Sequence, residues 1–475
     1  LLEVSFKITC MTESMQPHPL LTQLRDAVQG GMPVAISDLG HLVRIPSVSW
    51  DGFDAERMFE SADTIKHLLE GLGIFDEVMI ARAPIDSERL GQPALLARRV
   101  AKNGKPTILL YAHHDVQPPG NADDWESAPF EPTVRGDRLY GRGAADDKAG
   151  VMAHIAAIRA FVETVGSDFD LGLVVFFEGE EEFGSRSFAN FIVENRETLE
   201  ADVIVVADSD NWDITTPSLT VALRGNVAFK LTISTLEHAS HSGMFGGAAP
   251  DAMLAAIALL ATLHGEDGSV AVDGLVTHEA TTPVYTDQTL IADAALLPGV
   301  TPIGHGPVLS RLWNQPAITI TGIDAPTVIN ASNTLIPTVT VKLSARIAPG
   351  QSAADAYTFL EKHLREHAPF GARLEINDVD LGNPFLVDTT GWAVAEAKDA
   401  MYQAWGVEPL ETGIGGSIPF ISDLVEVFPH AQILITGVED PDTRAHSPNE
   451  SLHLGVFQRA ILTEAVLLAK LENRA

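Results

Sequence analysis

Cysteine is nearly absent from the chain: Cys10 stands alone among 475 residues. That excludes an internal disulfide and a zinc site built from several thiolates, so any metal must be held by His, Asp and Glu. A reducing, cytoplasmic compartment fits this composition. Apolar residues never run on for the 18 or so that a membrane-spanning helix requires. The stretch Leu1 to Cys10 also lacks the apolar core and small-residue cleavage site of a signal peptide. It reads as part of an N-terminal tail, residues 1–30, with Met11 a candidate start. Positive charge is scarce too: 31 Lys and Arg stand against 64 Asp and Glu, a formal charge of −33. Such a surface repels nucleic-acid phosphates and anionic membranes, so neither is an expected partner. Internal repeats and low-complexity segments are missing as well.

What is present is a globular composition, 45% apolar and 20% charged, on a chain long enough for two domains. Four short apolar runs are bounded by turn residues: Thr107 to Ala112, Leu171 to Phe177, Val203 to Ala207 and Ile433 to Thr436. Their length and their Val, Ile and Phe content predict strands of a buried, mostly parallel sheet. Helical spacing appears in Lys148 to Val162 and Phe59 to Leu72, which predicts an α/β layered domain with helices against that sheet. The middle of the chain differs. Val227, Phe229, Leu231 and Ile233 alternate with polar or small residues, as do Val339, Val341, Leu343, Ala345 and Ile347, the period-two pattern of strands with one wet face. Helices are expected to follow near Pro250 to His264 and Ala353 to His367, with further strands at Ala317 to Thr321 and Arg373 to Ile376. The expectation is a catalytic domain from residues 31–213 and 387–475, interrupted by an inserted α+β domain at 214–386.

Metal-competent residues cluster just after the four apolar runs, where open α/β sheets place their ligand sites. His113 and Asp115 follow the first in Tyr-Ala-His-His-Asp-Val-Gln-Pro, and Glu181 and Glu182 the second in Phe-Glu-Gly-Glu-Glu-Glu-Phe-Gly-Ser. Asp208 follows the third and His446 the fourth, the latter in Arg-Ala-His-Ser-Pro-Asn-Glu. Asp146 and Asp147 precede the helix at Lys148. Each alone has a bland explanation: a strand-end His is usually structural, a Glu run usually solvated, Asp146 and Asp147 can cap a helix, and Asp208 can close an Asx turn. Their joint occurrence favours a metal site. Imidazoles and carboxylates together suit zinc, manganese or cobalt.

These motifs, in this order, resemble the M20 metallopeptidases, particularly the dipeptidase branch of carnosine-dipeptidase and PepV-like enzymes. The resemblance runs from about Ile45, in Arg-Ile-Pro-Ser-Val-Ser, to the His446 segment. It implies two divalent cations per subunit, most simply zinc. His113 and Asp208 would bind one, Glu182 and His446 the other, and Asp146 would bridge them closely enough to share a hydroxide. It further implies a cis peptide between Asp146 and Asp147. Asp115 would orient His113, and Glu181 would be the general base, with spacing to Gly184 and Ser185 favouring it over Glu178 and Glu180. His114 reads as structural or substrate-lining, and Asp210 is an alternative to Asp208.

Substrate handling by the same resemblance falls to the inserted domain and a glycine-rich loop. His241, in Ala-Ser-His-Ser-Gly-Met-Phe-Gly-Gly, would reach a partner subunit's active site, making the inserted domain a lid and dimerisation surface. Arg346 would take a substrate carboxylate with its planar fork. Apart from the resemblance, Gly-Ile-Gly-Gly-Ser-Ile-Pro reads either as an ordinary turn or as exposed amides that with Ser417 can hold an anion, and it lacks the Gly-Lys-Ser/Thr ending of a phosphate-binding loop. The expected activity is hydrolysis of the amide bond of a dipeptide or similar small peptide. The alternatives are an N-acyl amino-acid amidohydrolase, a carboxypeptidase or, outside enzymes, a silent metal-binding assembly protein, which would have no use for Glu181 and Asp115.

Overall fold

The computed structural model describes residues 17–279, 282–415 and 419–474. The chain divides into two compact units, one of Leu1–Leu219, Thr389–Leu410 and His430–Ala475, the other of Thr220–Asp388 and Glu411–Pro429.

In the first unit the strands lie in the order Glu77–Ala81, Ala94–Arg99, Gly172–Glu178, Thr107–His113, Val203–Val206 and Gln432–Ile435. The last four run parallel and include all four apolar runs singled out above. Gly172–Glu178 is buried along its whole length, as is Val203–Val206. Strands covered on both faces have no need of alternation, which is why they read as continuous apolar runs. Helix Lys148–Val165 packs on strand Thr107–His113 and on helices Leu21–Val43 and Leu454–Asn473. Helix Glu56–Glu70 packs on the strands at the other end of the order. The fold is therefore α/β, a central and mostly parallel sheet with helices.

Two boundaries differ from expectation. Helix Leu21–Val43 begins inside the stretch assigned to a tail, because Leu24 and Val28 are buried core residues. Residues 411–429 fall in the second unit, where Ile414 and Gly415 accept hydrogen bonds from the backbone and side chain of Arg224.

The second unit is built on a four-stranded antiparallel sheet in the order Ala317–Asp324, Thr338–Ile347, Gly225–Ser234, Arg373–Gly382. Val227, Phe229, Leu231, Ile233, Val339, Val341 and Leu343 are buried, while Lys230 and Lys342 between them are exposed. The alternation thus becomes one dry face, covered by helices Ala252–Ala261 and Ala353–Glu366. Each large apolar side chain on it contributes roughly 1.5–3 kcal/mol by leaving water.

Candidate metal centre

The parallel strands of the first unit end together, and their carboxyl ends carry the site. His113 is the last residue of its strand and is buried. Its Nδ1 lies 3.1 Å from the Asp115 carbonyl and 3.3 Å from Asp115 Oδ1. With Nδ1 so held, Nε2 faces inward, 3.1 Å from Asp146 Oδ1 and 4.0 Å from Asp208 Oδ1. Asp115 does more than orient the ring. Its Oδ1 accepts from the Glu181 amide and its Oδ2 from the Glu182 amide and the Ser49 hydroxyl. One buried carboxylate thereby ties the His113 strand end to the turn after strand Gly172–Glu178.

Asp146 and Asp147, joined by a cis peptide bond, take different tasks. Asp147 caps the helix that follows, accepting from the Gly150 amide at 3.1 Å with one oxygen and from the His113 amide at 3.1 Å with the other. Asp146 points each oxygen at a different imidazole: Oδ1 at His113 Nε2, 3.1 Å away, and Oδ2 at His446 Nε2, 2.9 Å away. His446 Nε2 is also 3.2 Å from Glu182 Oε2. His446 comes from a loop after the last parallel strand, with φ of +60°, a region that non-glycine residues occupy mainly where function or packing demands it.

Glu178, the last residue of its strand, and the three glutamates that follow separate by their partners. Glu178 accepts from the Tyr111 hydroxyl at 2.7 Å, and Glu180 from the Ser187 amide, Arg186 and the Gln92 amide. Glu182 accepts from the Gln117 amide and side chain and faces His446. Among the described residues the Glu181 carboxylate receives no hydrogen bond, and its field comes from burial, His113, Asp208 and Glu182.

Charge explains what this cluster requires. Two groups could each hold an ion, His113 with Asp147 and Asp208, and Asp146 with Glu182 and His446, the potential ligand atoms within each group lying within 4.8 Å of one another. Burial, reinforced by Asp146, pushes the Glu182 carboxyl up to about 7, and burial with Asp146 nearby lifts Asp208 to about 6. Burial also raises Glu181 well above the ordinary carboxylate range, with Asp208 and Glu182 adding to it. Asp146 goes the other way: burial opposes its charge, but the hydrogen-bonded His113 and His446 outweigh it. Hydrogen bonds donated by its ring to Asp146 and Glu182 raise His446 to about 11. A buried excess of carboxylates over imidazoles is costly unless cations balance it. The donor set, nitrogen and oxygen alone, fits divalent cations of the zinc, manganese and cobalt kind.

Other expected residues stand elsewhere. Asp210 is exposed and outside both groups. His114 is fully buried between the Ser61 hydroxyl and the Pro93 carbonyl, and burial pushes it down to about 4. His241 and Arg346 belong to the second unit, on strands Ser240–His241 and Thr338–Ile347, the first exposed and the second half-buried. Ser417 lies outside the described residues.

Glu450 joins the site without having been marked by any spacing in the sequence. It is fully buried and accepts from the Ala145 and Asp146 amides with one oxygen and from the Gly143 amide and Arg142 with the other. It holds the backbone that presents Asp146. The motif around His446 contained it, but no local spacing indicates that a glutamate will bind amides so far back in the chain.

The profile of "Peptidase family M20/M25/M40" matches residues 109–470, which spans every residue of this cluster. The chain belongs to that family. It is a metallopeptidase of the dipeptidase branch. It is 36% identical over 368 residues to the cysteinylglycine-S-conjugate dipeptidase of Corynebacterium striatum, covering 76% of this chain and 80% of that one. Against the Cys-Gly metallodipeptidase of Schizosaccharomyces pombe it is 28% identical, covering 93% of this chain and 96% of the other. Among solved structures it resembles human carnosine dipeptidase 1, with a TM-score of 0.75 at 22% identity, covering 97% and 100% of the two chains. At that identity the likeness speaks for the fold. Among the described residues no helix is long and apolar enough to cross a membrane.

Proposed function

We propose that this metallopeptidase hydrolyses dipeptides with two divalent cations, zinc in the first instance with manganese or cobalt as alternatives. The reading is carried by the placement of Asp146, whose two oxygens face two imidazoles, beside a glutamate with no hydrogen-bond partner among the described residues. His113 and Asp208 would hold one cation, Glu182 and His446 the other, and Asp146 both. When bound, the cations supply Lewis acidity, lowering the pKa of water and polarising the scissile carbonyl. Glu181 takes the proton from the attacking water and delivers it to the leaving amine, a role suited to a buried carboxylate whose proton affinity is raised. Asp115 fixes both the His113 ring and the Glu181–Glu182 backbone, so ligand and base move as one body.

The substrate-binding roles of His241, Arg346 and Ser417, and a cytoplasmic homodimer formed through the second unit as a lid, complete the proposal. A homodimer with shared sites predicts that Glu181→Ala and His241→Ala subunits, each inactive alone, regain activity when exchanged into heterodimers. The names of the similar dipeptidases favour small peptides over N-acyl amino acids. A panel of dipeptides, N-acyl amino acids and longer peptides, assayed with chelated and with metal-reconstituted protein, decides this. Metal-dependent cleavage of dipeptides is the expected outcome; turnover of only N-acyl amino acids, or full activity without metal, overturns it.

A further inference from the structure

Glu181 has a task that needs aim and no hydrogen bond of its own to supply it. Its neighbour Glu182 is fixed at the side chain by the Gln117 amide and Nε2, and Glu180 by the Ser187 amide and Arg186. A carboxylate without such partners points where its backbone points it. The direction of Glu181 is therefore decided by whatever fixes the one-turn helix Glu181–Phe183. The bonds from the Phe183 amide to Glu180 and from the Gly184 amide to Glu181 are internal to that turn, so they set its shape and not its orientation.

Two contacts reach the turn from outside. Asp115 takes the near end, accepting from the Glu181 and Glu182 amides at 3.1 Å each. At the far end the Phe183 ring is stacked on Trp50, the centroids 4.9 Å apart and the planes 28° from parallel, the spacing of a favourable aromatic pair. Both rings are only half-buried, so the stack serves the turn more than the core. Trp50 is in turn anchored. Ser49, just before it, donates to Asp115 Oδ2 at 2.7 Å, and the Ser49 carbonyl accepts from Gln92 Nε2 at 3.2 Å. Ser47 donates to the His114 carbonyl at 2.7 Å and accepts from the Val116 amide at 2.9 Å. On the other side of Trp50, Asp51 lies 3.5 Å from Arg186, whose guanidinium also lies over Phe183, 4.1 Å from the ring centroid. The segment Ser47–Asp51 thus ties the end of strand Thr107–His113 to the turn after strand Gly172–Glu178.

We infer that Trp50 is a positioning residue for the general base: by stacking on Phe183 it fixes the far end of the turn whose near end Asp115 fixes, and so aims the Glu181 carboxylate at the attacking water. The inference rests on the reading of Glu181 as that base. Removing the stack releases Glu181 and not Glu182, because Gln117 and His446 restrain Glu182 independently. A reacting group displaced by about 1 Å costs on the order of 10²-fold in rate.

The test is steady-state kinetics of full-length, metal-loaded protein on the dipeptide turned over fastest in the panel above, with metal content measured on the same samples. Trp50→Leu keeps apolar bulk and removes the ring. It should lower kcat by roughly 10–100-fold while KM and metal content stay near wild type, the pattern of an interaction made only in the transition state. Trp50→Phe, which restores a ring, should recover most of the loss. Phe183→Leu removes the other ring and should match Trp50→Leu, so a folding failure in one variant leaves the other to decide. The deciding measurement is made in the Glu181→Ala background, where Trp50→Leu or Phe183→Leu should lower the residual kcat no further, since the carboxylate through which they act is gone. An equal loss in both backgrounds, loss of metal, an unchanged kcat in the leucine variants or no recovery in Trp50→Phe overturns the inference and leaves the reading of Glu181 standing. A Glu181→Ala enzyme with wild-type kcat would remove that reading, and the inference with it.

Discussion

The two imidazoles flanking Asp146 sit in opposite settings. His113 is 1% exposed at the end of a central strand, its Nδ1 beside Asp115. His446 is 58% exposed on a loop with left-handed backbone, and its contacts with Asp146 and Glu182 run through Nε2 alone. One half of the cluster is set by the sheet before any ligand arrives. The other depends on the shared carboxylate and on Glu182, itself held by Gln117. The contrast teaches that Asp146 is where a rigid and a loop-borne half meet, and that loss at the loop half should be more local.

The hardest blow to both halves is Asp146→Ala. Both ions should be lost and activity should fall below detection, as measured by metal analysis of dialysed protein; one equivalent retained at wild-type affinity would mean that the halves bind independently. Next comes Glu181→Ala, which should keep two ions while kcat drops by about 10²–10⁴-fold, the usual contribution of a positioned acid–base group. Metal loss matching that of Asp146→Ala would make Glu181 a ligand. Smaller effects come from the supporting residues. Asp115→Asn should weaken the His113-side ion by roughly 10–100-fold, the scale of outer-sphere substitutions, and Gln117→Ala should affect only the His446 side and by less. Competition titration with a chromophoric chelator separates them, and equal effects on both ions would erase the distinction drawn between the halves.

The smallest effect is on the metal-free fold. Glu182 and Asp208, raised to about 7 and about 6 from ordinary values near 4, bind protons more tightly folded than unfolded. His446, raised to about 11, does the same at higher pH. Between the unfolded and folded values the native state carries the extra protons, so stability falls as pH rises. Metal-free protein should therefore melt several degrees lower at pH 8 than at pH 5, with the gap narrowed by added cations; a melting temperature that rises over this window would contradict the charge picture.

The sequence by itself determined the parallel core and the residue types at its carboxyl ends. Strands such as Val203–Val206 need continuous apolar runs because both faces are dry, and that pattern is local. So are His113 at a strand end, Asp147 at a helix start and the period-two alternation of Val227 to Ile233. Only the tertiary structure decided which of four neighbouring glutamates remains without a hydrogen-bond partner, that Asp146 and not Asp147 faces both imidazoles, and that residues 411–429 belong with Arg224. It alone disclosed Glu450 beneath Asp146. Each of these depends on hydrogen bonds or charge between segments far apart in the chain, and spacing along a sequence carries no record of which distant amide or cation a buried carboxylate or guanidinium will meet.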